Sequence, residues 1–406
     1  MAQSWEWWPH PPVDEGLHLT LYERAARRNT PSGHLVYWTD STMMAAPFDP
    51  DRMEVGSPVR VMDNLLRFDI ASDGSLVYST FPVPPSDRPR SDLVLVRPSG
   101  AREVLAELDG TAWFPRFSPD GSGLAYGLNE RPVANDTQDP GDLWVLGMAR
   151  RERTRVTFSG NNMWYPIWSP DGLWLTHADA VLGSQNRVLS HRADGTNQID
   201  TIFDFVRDTI VDPSRRRFPT SWSPDGRTLA YYSGQGVDRD IWMLHVDGEE
   251  RTPTPYIVTE FTEVGATFSP DGRWVSYVSN KSGEQNVYVR PFPGPGSEVT
   301  ISVGGGIEPV WSRSGDEIYY RREGELMVVP VRRSGSTLTP GTAQRVMTDE
   351  YARQILGGAG GMANYDVTPD GTGFVMIERH EQSGGRPSRL FVVFNWPEEL
   401  KRLVPD

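Results

Sequence analysis

A tight-turn motif that recurs eight times constrains this chain more than any other feature. The motif reads Ser-Pro-Asp-Gly and is followed by a short stretch in which apolar and aromatic residues alternate with others. Pro presets φ at the second turn position, Asp hydrogen-bonds to its own backbone, and Gly supplies positive φ at the exit. Clear copies lie at 118–127, 169–178, 223–232 and 269–278, and weaker ones at 30–38, 71–80, 312–321 and 368–377. Their starts are 41 to 56 residues apart, a period typical of propeller blades.

Each repeat contains four segments of strand-like composition and no helical periodicity between them. An apolar stretch precedes the turn, an alternating strand follows it, and a third and fourth strand come next, as at 142–148 and 153–158. Four antiparallel strands per repeat are the pattern of a propeller blade. The sequence therefore predicts an all-β fold, a β-propeller of about eight four-stranded blades. Seven blades also fit, because the first and last repeats are degenerate.

The two ends of the chain bear on how such a ring would close. The last repeat lacks a fourth strand, whereas residues 17–23 (LHLTLYE) alternate like a strand outside any complete blade. We predict that this segment closes the ring, either as the outer strand of the last blade or as the inner strand of the first. The predicted domains are an aromatic, Pro-rich tail at 1–16, one propeller at 17–396, and a short C-terminal helix at 397–406. The tail segment WEWWPHPP (5–12) should pack on the propeller or meet a partner.

Composition excludes several classes of function. The net charge is −14 and no dense basic run exists, which argues against nucleic-acid binding. The chain has no cysteine, so disulfides, thiolate metal sites and cysteine nucleophiles are excluded. No apolar run approaches the roughly 18 residues that span a membrane, and the N-terminus lacks the features of a signal peptide.

Several stretches resemble a known family. The segment 269–296 (SPDGRWVSYVSNKSGEQNVYVRPFPGPG) is similar to bacterial TolB-like, WD-repeat-like propellers, and the resemblance spans roughly residues 30–405. The segments 304–321, 364–377 and 395–405 look closest to the C-terminal propeller of receptor-type serine/threonine kinases. The kinase motifs and the N-terminal α/β domain of TolB are absent from the sequence. The resemblance implies binding of proteins, peptides or small ligands, and a periplasmic or other extracytoplasmic location, although a cytoplasmic one stays open without a visible signal peptide.

Catalytic motifs are not apparent in the chain. No G-x-S-x-G pentapeptide of a serine hydrolase exists, and the seven histidines form no H-E-x-x-H motif. His191 and His245 fall at similar third-strand positions in neighbouring repeats, which we interpret as ordinary strand histidines. The motif aspartates should be turn residues rather than a carboxylate set; they are Asp120, Asp171, Asp225, Asp271 and Asp370.

Propeller geometry gives the better prediction of a site. Inner strands begin at the face formed by the loops between blades, so residues about five before each turn should surround the mouth of the central channel. These residues are Arg67, Trp113, Trp164, Phe218, Glu308 and Asn364, with Arg217 and Glu263 one step further out. Such a mouth could stack a ring and pair with a charged group. Alternatively, these side chains pack against one another as a plug.

The same set bears on metal and partner binding. Glu263, Glu308 and Asn364 carry oxygen ligands of the kind that Ca²⁺ takes, although no cofactor is required. Long loops at 81–92, 129–142 and 379–389 open on the same face, where loops often carry binding. We therefore predict a non-catalytic binding or sensor propeller for a protein, peptide or small ligand. The alternatives are a hydrolase or lyase with its site in the channel, metal-dependent or not, and a structural subunit of a larger assembly.

Overall fold

The structure is a computed structural model, and its description covers most of the chain after residue 27. It describes residues 28–29, 33–39, 42–49, 52, 54–63, 65–71, 75–80, 89–130, 141–158, 163–179, 187–204, 217–235, 238–248, 251–294, 296–335, 337–352, 362–380 and 390–404. The chain divides into two compact units. Unit 1 comprises Met1–Thr80 and Leu390–Asp406, and unit 2 comprises Phe81–Arg389.

The described regular structure is almost entirely β. The first part of unit 1 contains β1 (Arg28–Asn29), β2 (His34–Thr39), β3 (Thr42–Asp49), β4 (Glu54–Val55), β5 (Val59–Met62), β6 (Leu65–Ile70) and β7 (Leu76–Thr80). Unit 2 contains β8 (Arg90–Val96), β9 (Arg102–Asp109), β10 (Thr111–Phe117), β11 (Gly123–Asn129), β12 (Asp142–Gly147), β13 (Arg153–Arg155), β14 (Met163–Trp168), β15 (Trp174–Asp179), β16 (Arg187–Arg192), β17 (Ile199–Asp204), β18 (Arg217–Trp222), β19 (Thr228–Gln235), β20 (Asp238–His245), β21 (Thr252–Ile257), β22 (Glu263–Phe268), β23 (Trp274–Ser279), β24 (Asn286–Pro291), β25 (Val299–Thr300), β26 (Ile307–Trp311), β27 (Glu317–Arg322), β28 (Glu325–Ser334), β29 (Thr337–Pro340), β30 (Gln344–Thr348), β31 (Asp366–Val367) and β32 (Phe374–His380). The chain then returns to unit 1 with β33 (Leu390–Val393) and α1 (Trp396–Leu403).

Unit 2 is built from six antiparallel sheets. Five consist of consecutive strands, namely β10–β13, β14–β17, β18–β21, β22–β25 and β26–β30. The sixth has the order β31-β32-β8-β9, so strands from the start of the unit complete the sheet at its end. We number the sheets 1 to 6 in this order. The first strand of each sheet contacts the first strand of the next, and sheet 6 contacts β10 of sheet 1. The first strands are therefore the inner strands of the blades.

The repeated motif forms the turn between the first and second strand of each sheet in unit 2. In the turn of sheet 3, the Ser223 hydroxyl donates to Asp225 at 2.6 Å, and Gly226 has φ +72°. Neighbouring turns touch one another through a glycine and a proline: Gly121 faces Pro369, Gly172 faces Pro119, Gly226 faces Pro170 and Gly272 faces Pro224. These turns therefore share one end of the unit, which we call the turn face. The opposite end, where the inner strands begin, is the loop face.

Tryptophans that precede the turn motif tie neighbouring sheets together. Trp168 of sheet 2 donates its Nε1–H to the Arg116 carbonyl of sheet 1 at 2.9 Å. Trp222 of sheet 3 donates to the Thr176 hydroxyl of sheet 2 at 3.0 Å. Trp311 of sheet 5 repeats the arrangement with a carbonyl of sheet 4. The same residue thus buries an apolar ring between sheets and satisfies its polar atom across the junction.

Unit 1 contains two further sheets and the helix. One sheet has the order β1-β2-β3-β5, with β4 also paired to β3, and the other has the order β33-β7-β6. Trp396 and Leu400 of α1 are buried in a core with Val36 and Met43. Acidic residues lie in the first turn of α1 and basic residues in its last, as the helix dipole favours. The predicted C-terminal helix is therefore present and begins at Trp396.

The described residues form eight sheets, six in unit 2 and two in unit 1, and the closure of about eight blades into one ring stays a prediction. Residues 5–12 and 17–23 lie outside the described residues. The boundaries of a single propeller over 17–396 therefore stay a prediction. Within the part of the chain that the structure describes, no helix is long and apolar enough to cross a membrane.

Candidate functional site

All the predicted mouth residues except Arg67 lie at the loop face of unit 2. Residues 113, 164, 217, 218 and 263 lie in the starting halves of β10, β14, β18 and β22; Glu308 is in β26, and Asn364 precedes β31. Each comes from a different sheet, apart from Arg217 and Phe218. Arg67 lies in β6 of unit 1. The side chains of Arg67 and Trp164 lie outside the described residues, so their roles stay predictions.

A bulge reshapes the inner strands just after these positions. The register shifts between Trp113 and Arg116, and equivalent shifts occur in β14, β18, β22 and β26. Phe114, Tyr165 and Glu308 have φ values of +52°, +58° and +57° there. This left-handed conformation is unfavourable for residues with a side chain and is held by the surrounding packing. Bulges of this kind redirect side chains, and no sequence pattern predicted them.

Aromatic residues fill the loop-face ends of sheets 1 to 3. The Phe114 ring centroid lies 4.7 Å from that of Tyr165, and Tyr165 lies 5.6 Å from Phe218. Trp113 is buried beside Phe114, and the Arg379 guanidinium lies 4.0 Å from its ring centroid. The Trp113 Nε1–H has no acceptor among the described residues. The rings of this group contact one another and so fill this side of the mouth. The group also contains one buried polar atom, the Trp113 Nε1–H donor.

A buried charged network fills the corresponding ends of sheets 5 and 6. Arg321 donates to Glu308 at 3.1 Å, and its Nε lies 2.7 Å from the Asp349 carboxylate. Glu308 also accepts the Asn364 backbone N–H at 2.7 Å, while the Asn364 side chain accepts the N–H of Phe114. Each charge is therefore compensated within the fold. Glu308 and Asn364 are joined by these contacts as a structural plug at this side of the mouth.

Arg321, Asp349 and Arg116 belong to this region but were not found by sequence reasoning. Arg116 is part of the inner strand of sheet 1 and donates to the carbonyls of Ala363 and Tyr365. Burial lowers the pKa of Arg116, with nearby carboxylates opposing that effect. Alternation within β27 could have placed Arg321 on a buried face. Nothing in the sequence, however, paired it with a residue 28 positions away.

Glu263 forms a separate polar group in sheet 4. Its carboxylate accepts hydrogen bonds from Thr259 and Ser279, each at 2.9 Å. Burial raises the pKa of Glu263, with the Asp240 charge adding to the effect. Lys281 in the adjacent loop pairs with Glu298, and burial lowers the pKa of Lys281. Glu263 thus keeps its carboxylate buried against hydroxyl donors, and no basic side chain of the described residues forms an ion pair with it.

The described contacts do not assemble a metal site. Glu263 and Glu308 belong to different hydrogen-bonded groups, and no set of three or more His, Cys, Asp or Glu residues within the described ranges could hold an ion. The suggested Ca²⁺ ligands are therefore not brought together as one such set. The His191 ring centroid lies 5.1 Å from that of His177 in its own sheet. His245 instead contacts Thr228 and Thr254.

Exposed apolar side chains mark the loops that lead into the inner strands. Phe158, Val258, Phe261 and Val303 lie in three such connections, and Val303 is 77% exposed. These connections run from β13 to β14, from β21 to β22 and from β25 to β26, and each carries at least one of the four side chains. The long loops predicted at 81–92, 129–142 and 379–389 lie mostly outside the described residues, so their part in binding stays a prediction.

The turn face is different in character. Asp120 accepts hydrogen bonds from Ser118 and Ser122, and these bonds lower its pKa to about 2. Asp370 makes equivalent bonds with Thr368 and Thr372, and its pKa also falls to about 2. The motif aspartates are thus turn residues, as predicted from the sequence.

Comparison with known proteins supports this fold assignment. A solved structure described as TolB from Agrobacterium tumefaciens is 21% identical, covers 72% of this chain and 99% of its own, and superposes with a TM-score of 0.52. TolB from Acinetobacter baumannii is 15% identical, covers 88% of this chain and 81% of its own, with a TM-score of 0.44. An oligogalacturonate lyase from Vibrio parahaemolyticus is 13% identical over 80% of this chain and 98% of its own, with a TM-score of 0.46.

Only the first of these similarities exceeds a TM-score of 0.5, and at 21% identity it establishes the fold alone. The chain has a TolB-like β-propeller fold, as the sequence predicted. No protein-family model and no curated protein sequence matches the chain. The closer resemblance to the propeller of receptor-type kinases stays a prediction.

Proposed function

We propose that unit 2 is a non-catalytic binding module whose loop face contacts a protein or peptide partner. The observation that carries this proposal is the row of exposed apolar side chains in the connections before the inner strands, Phe158, Val258, Phe261 and Val303. Large apolar side chains at the rim of a rigid scaffold are typical of protein interfaces. An extracytoplasmic location, implied by the family resemblance, is part of the same proposal.

The energetics of burial favour such a role for this surface. Complete burial of a Val or Phe side chain contributes about 1.5–3 kcal/mol. The loops that bear Phe261 and Val303 flank sheet 4 on both sides. A partner covering both residues would gain enough free energy to make them dominant contacts, because a few anchors usually carry most of the affinity.

The mouth residues would add specificity at the same face. The Arg379 guanidinium lies over the Trp113 ring, and the buried Nε1–H of Trp113 has no acceptor among the described residues. A partner group that brought an acceptor oxygen to this point would satisfy that donor. A small ligand with such an oxygen would use the same donor. No specific contact among the described residues favours the channel enzyme or the structural subunit, so neither is proposed.

The experiment begins with capture of partners by the tagged full-length protein from an extract of its source organism. The captured protein is then purified, and its affinity is measured by calorimetry for the wild type and for the double variant Phe261→Ser, Val303→Ser. We expect a loss of at least about 10-fold in affinity for the double variant.

A matched control lies on the turn face. Leu173 is 46% exposed next to the turn of sheet 2, and Leu173→Ser removes a comparable apolar surface. We expect it to change the affinity by less than about 2-fold. Equal losses in the two variants, or a loss only for Leu173→Ser, would show that the loop face is not the interface.

A further inference from the structure

The connections that carry the exposed apolar side chains share a second feature, a hydroxyl residue bonded to a buried polar side chain. Thr157 directly precedes Phe158, and Ser302 directly precedes Val303. Both hydroxyl residues are buried, whereas the apolar residue that follows each of them is exposed. Within two positions the chain therefore changes from a side chain fixed inside the protein to one presented to solvent.

In the connection after β25, Ser302 joins the loop to the third strand of sheet 4. Its hydroxyl donates to the Asn286 side-chain oxygen at 3.1 Å and accepts the Val287 backbone N–H at 2.8 Å. The same Asn286 oxygen accepts the N–H of Gly305 at 3.1 Å. The chain is therefore held on both sides of Val303 by one buried amide.

The connection after β13 repeats this arrangement with Thr157 in the place of Ser302 and Asp142 in the place of Asn286. The Thr157 hydroxyl donates to the Asp142 carboxylate at 2.9 Å and accepts the Leu143 backbone N–H at 2.9 Å. Asp142 and Asn286 each form the first residue of the third strand in their sheet. The two connections are thus fixed by equivalent hydrogen bonds at equivalent places.

A cation contributes to the arrangement in sheet 1. Arg155 pairs with Asp142 and donates its Nε–H to the Thr157 carbonyl at 3.0 Å. The guanidinium carbon of Arg155 lies 5.3 Å from the Phe158 ring centroid, within the range of a cation–π contact. The buried carboxylate therefore fixes both the hydroxyl before Phe158 and the cation over its ring.

The connection after β21 is held in a related way. The Thr259 hydroxyl donates to the buried Glu263 carboxylate at 2.9 Å and accepts the Phe261 backbone N–H at 3.0 Å. Val258 directly precedes this threonine, and Phe261 follows it by two positions. In each of the three connections, a hydroxyl group thus joins the chain beside an exposed apolar residue to a buried acceptor.

We propose that Thr157, Thr259 and Ser302 are positioning residues of the binding surface, which fix its apolar side chains before a partner binds. This inference rests on the function proposed above and assigns the residues that prepare the surface for it. A hydroxyl that both donates and accepts restricts the backbone of a loop. A loop that is already ordered loses less entropy on binding, which raises the affinity.

Two buried serines with the same bonding provide a matched test. Ser302 on the loop face and Ser223 on the turn face each donate to a side-chain oxygen and accept a backbone N–H. Ser302→Ala and Ser223→Ala should therefore lower the Tm of the full chain to a similar extent. We expect amide hydrogen exchange of residues 301–306 to become about 5-fold faster in Ser302→Ala and to stay unchanged in Ser223→Ala.

Affinity for the captured protein partner is then measured by calorimetry. We expect a loss of about 3- to 10-fold for Ser302→Ala, because the freed connection must be ordered on binding, and of less than about 2-fold for Ser223→Ala. Thr157→Val removes the hydroxyl and keeps the size of the side chain, so it should weaken binding as Ser302→Ala does. Thr157→Ser keeps the hydroxyl and should retain the wild-type affinity.

The two measurements separate a failure of this inference from a failure of the proposed function. Unchanged exchange of residues 301–306 in Ser302→Ala would overturn the inference without reference to any partner. Faster exchange with equal affinities for the two serine variants would also overturn it, because the hydroxyl would then serve folding alone. In that case a loss of affinity in the double variant Phe261→Ser, Val303→Ser shows that the proposed function stands. If the double variant also binds normally, the proposed function itself is wrong.

Discussion

The two faces of unit 2 are formed by opposite ends of the same strands, yet their side chains find partners in different ways. On the turn face Asp120 bonds to Ser118 and Ser122, both two residues away. On the loop face Phe114 donates to Asn364, 250 residues distant, and Glu308 accepts from Asn364, 56 residues distant. Local pairing can be repeated in every sheet. Distant pairing differs from sheet to sheet, so the loop face varies around the unit whereas the turn face repeats.

The sharpest test of this contrast removes one charge at each face. Arg321 on the loop face is buried between Glu308 and Asp349, whereas Arg333 on the turn face pairs with Asp271 and is partly exposed. Arg321→Met removes the cation that pairs with these two buried carboxylates, so we expect the free energy of unfolding to fall by about 3–5 kcal/mol. Arg333→Met should cost about 1 kcal/mol or less.

The measurement is urea unfolding followed by tryptophan fluorescence at neutral pH, with both variants compared at equal protein concentration. Equal losses for Arg321→Met and Arg333→Met would contradict the contrast between the two faces. A selective loss for Arg333→Met would reverse it and make the turn face the more dependent on charge pairing.

The second prediction uses the pH dependence of stability to distinguish the loop face of unit 2 from its turn face. His177 lies near the loop-face end of β15, and burial together with the nearby His191 lowers its pKa from 6.5 to about 3. Because the pKa of the folded state is below that of the unfolded state, protonation favours unfolding. The loss in free energy of unfolding caused by His177 is absent above about pH 6.5. It grows by about 1.4 kcal/mol per pH unit as the pH falls toward 3. At pH 4.5 we expect a loss of about 2–3 kcal/mol relative to pH 7.

His177→Gln is the matched variant, because it removes the titrating group and keeps an amide in place. Urea unfolding of wild type and variant should give curves of stability against pH that separate between pH 6.5 and 4.5, with the steeper slope in the wild type. The turn-face aspartates do not contribute in this window: the pKa of Asp120 falls from 3.8 to about 2, so its stabilisation is lost only below about pH 4. Parallel curves would show that His177 is not held neutral.

The same contrast explains which features the sequence could predict. The turns, their aspartates and the strand order depend on residues within one repeat, so the sequence predicted them in advance. The starting positions of the inner strands also followed from the repeat, which placed Trp113, Phe218 and Glu308 at one face. The bulges with positive φ at Phe114 and Glu308 did not follow, because phenylalanine and glutamate are not residue types that mark a left-handed conformation.

The sequence could not predict which side chains pair with one another at the mouth, and the reason is physical. The cation that neutralises Glu308 is Arg321, which comes from the second strand of the same sheet, and its other partner is Asp349. Such long-range pairs depend on which side chains reach a shared buried space. The suggestion of Ca²⁺ ligands at Glu263 and Glu308 arose because both residues were predicted at the mouth, without knowledge of their separate partners.

The smallest predicted effect is also the most discriminating, because it has opposite signs at the two faces. Asp120→Asn weakens the charge-assisted bonds from Ser118 and Ser122, so we expect a loss of about 0.5–1 kcal/mol at pH 8. Burial raises the pKa of Glu263 above its ordinary value, so the ionised carboxylate destabilises the fold at alkaline pH. Glu263→Gln removes that charge and keeps one acceptor for Thr259 or Ser279. We expect it to raise the free energy of unfolding by up to about 1 kcal/mol at pH 8, with the gain disappearing below about pH 4.5. Urea unfolding at pH 8 and below about pH 4.5 measures the stability of both variants. If Glu263→Gln loses as much stability as Asp120→Asn, the hydroxyl donors fully compensate the buried charge of Glu263. The loop-face and turn-face carboxylates would then behave alike.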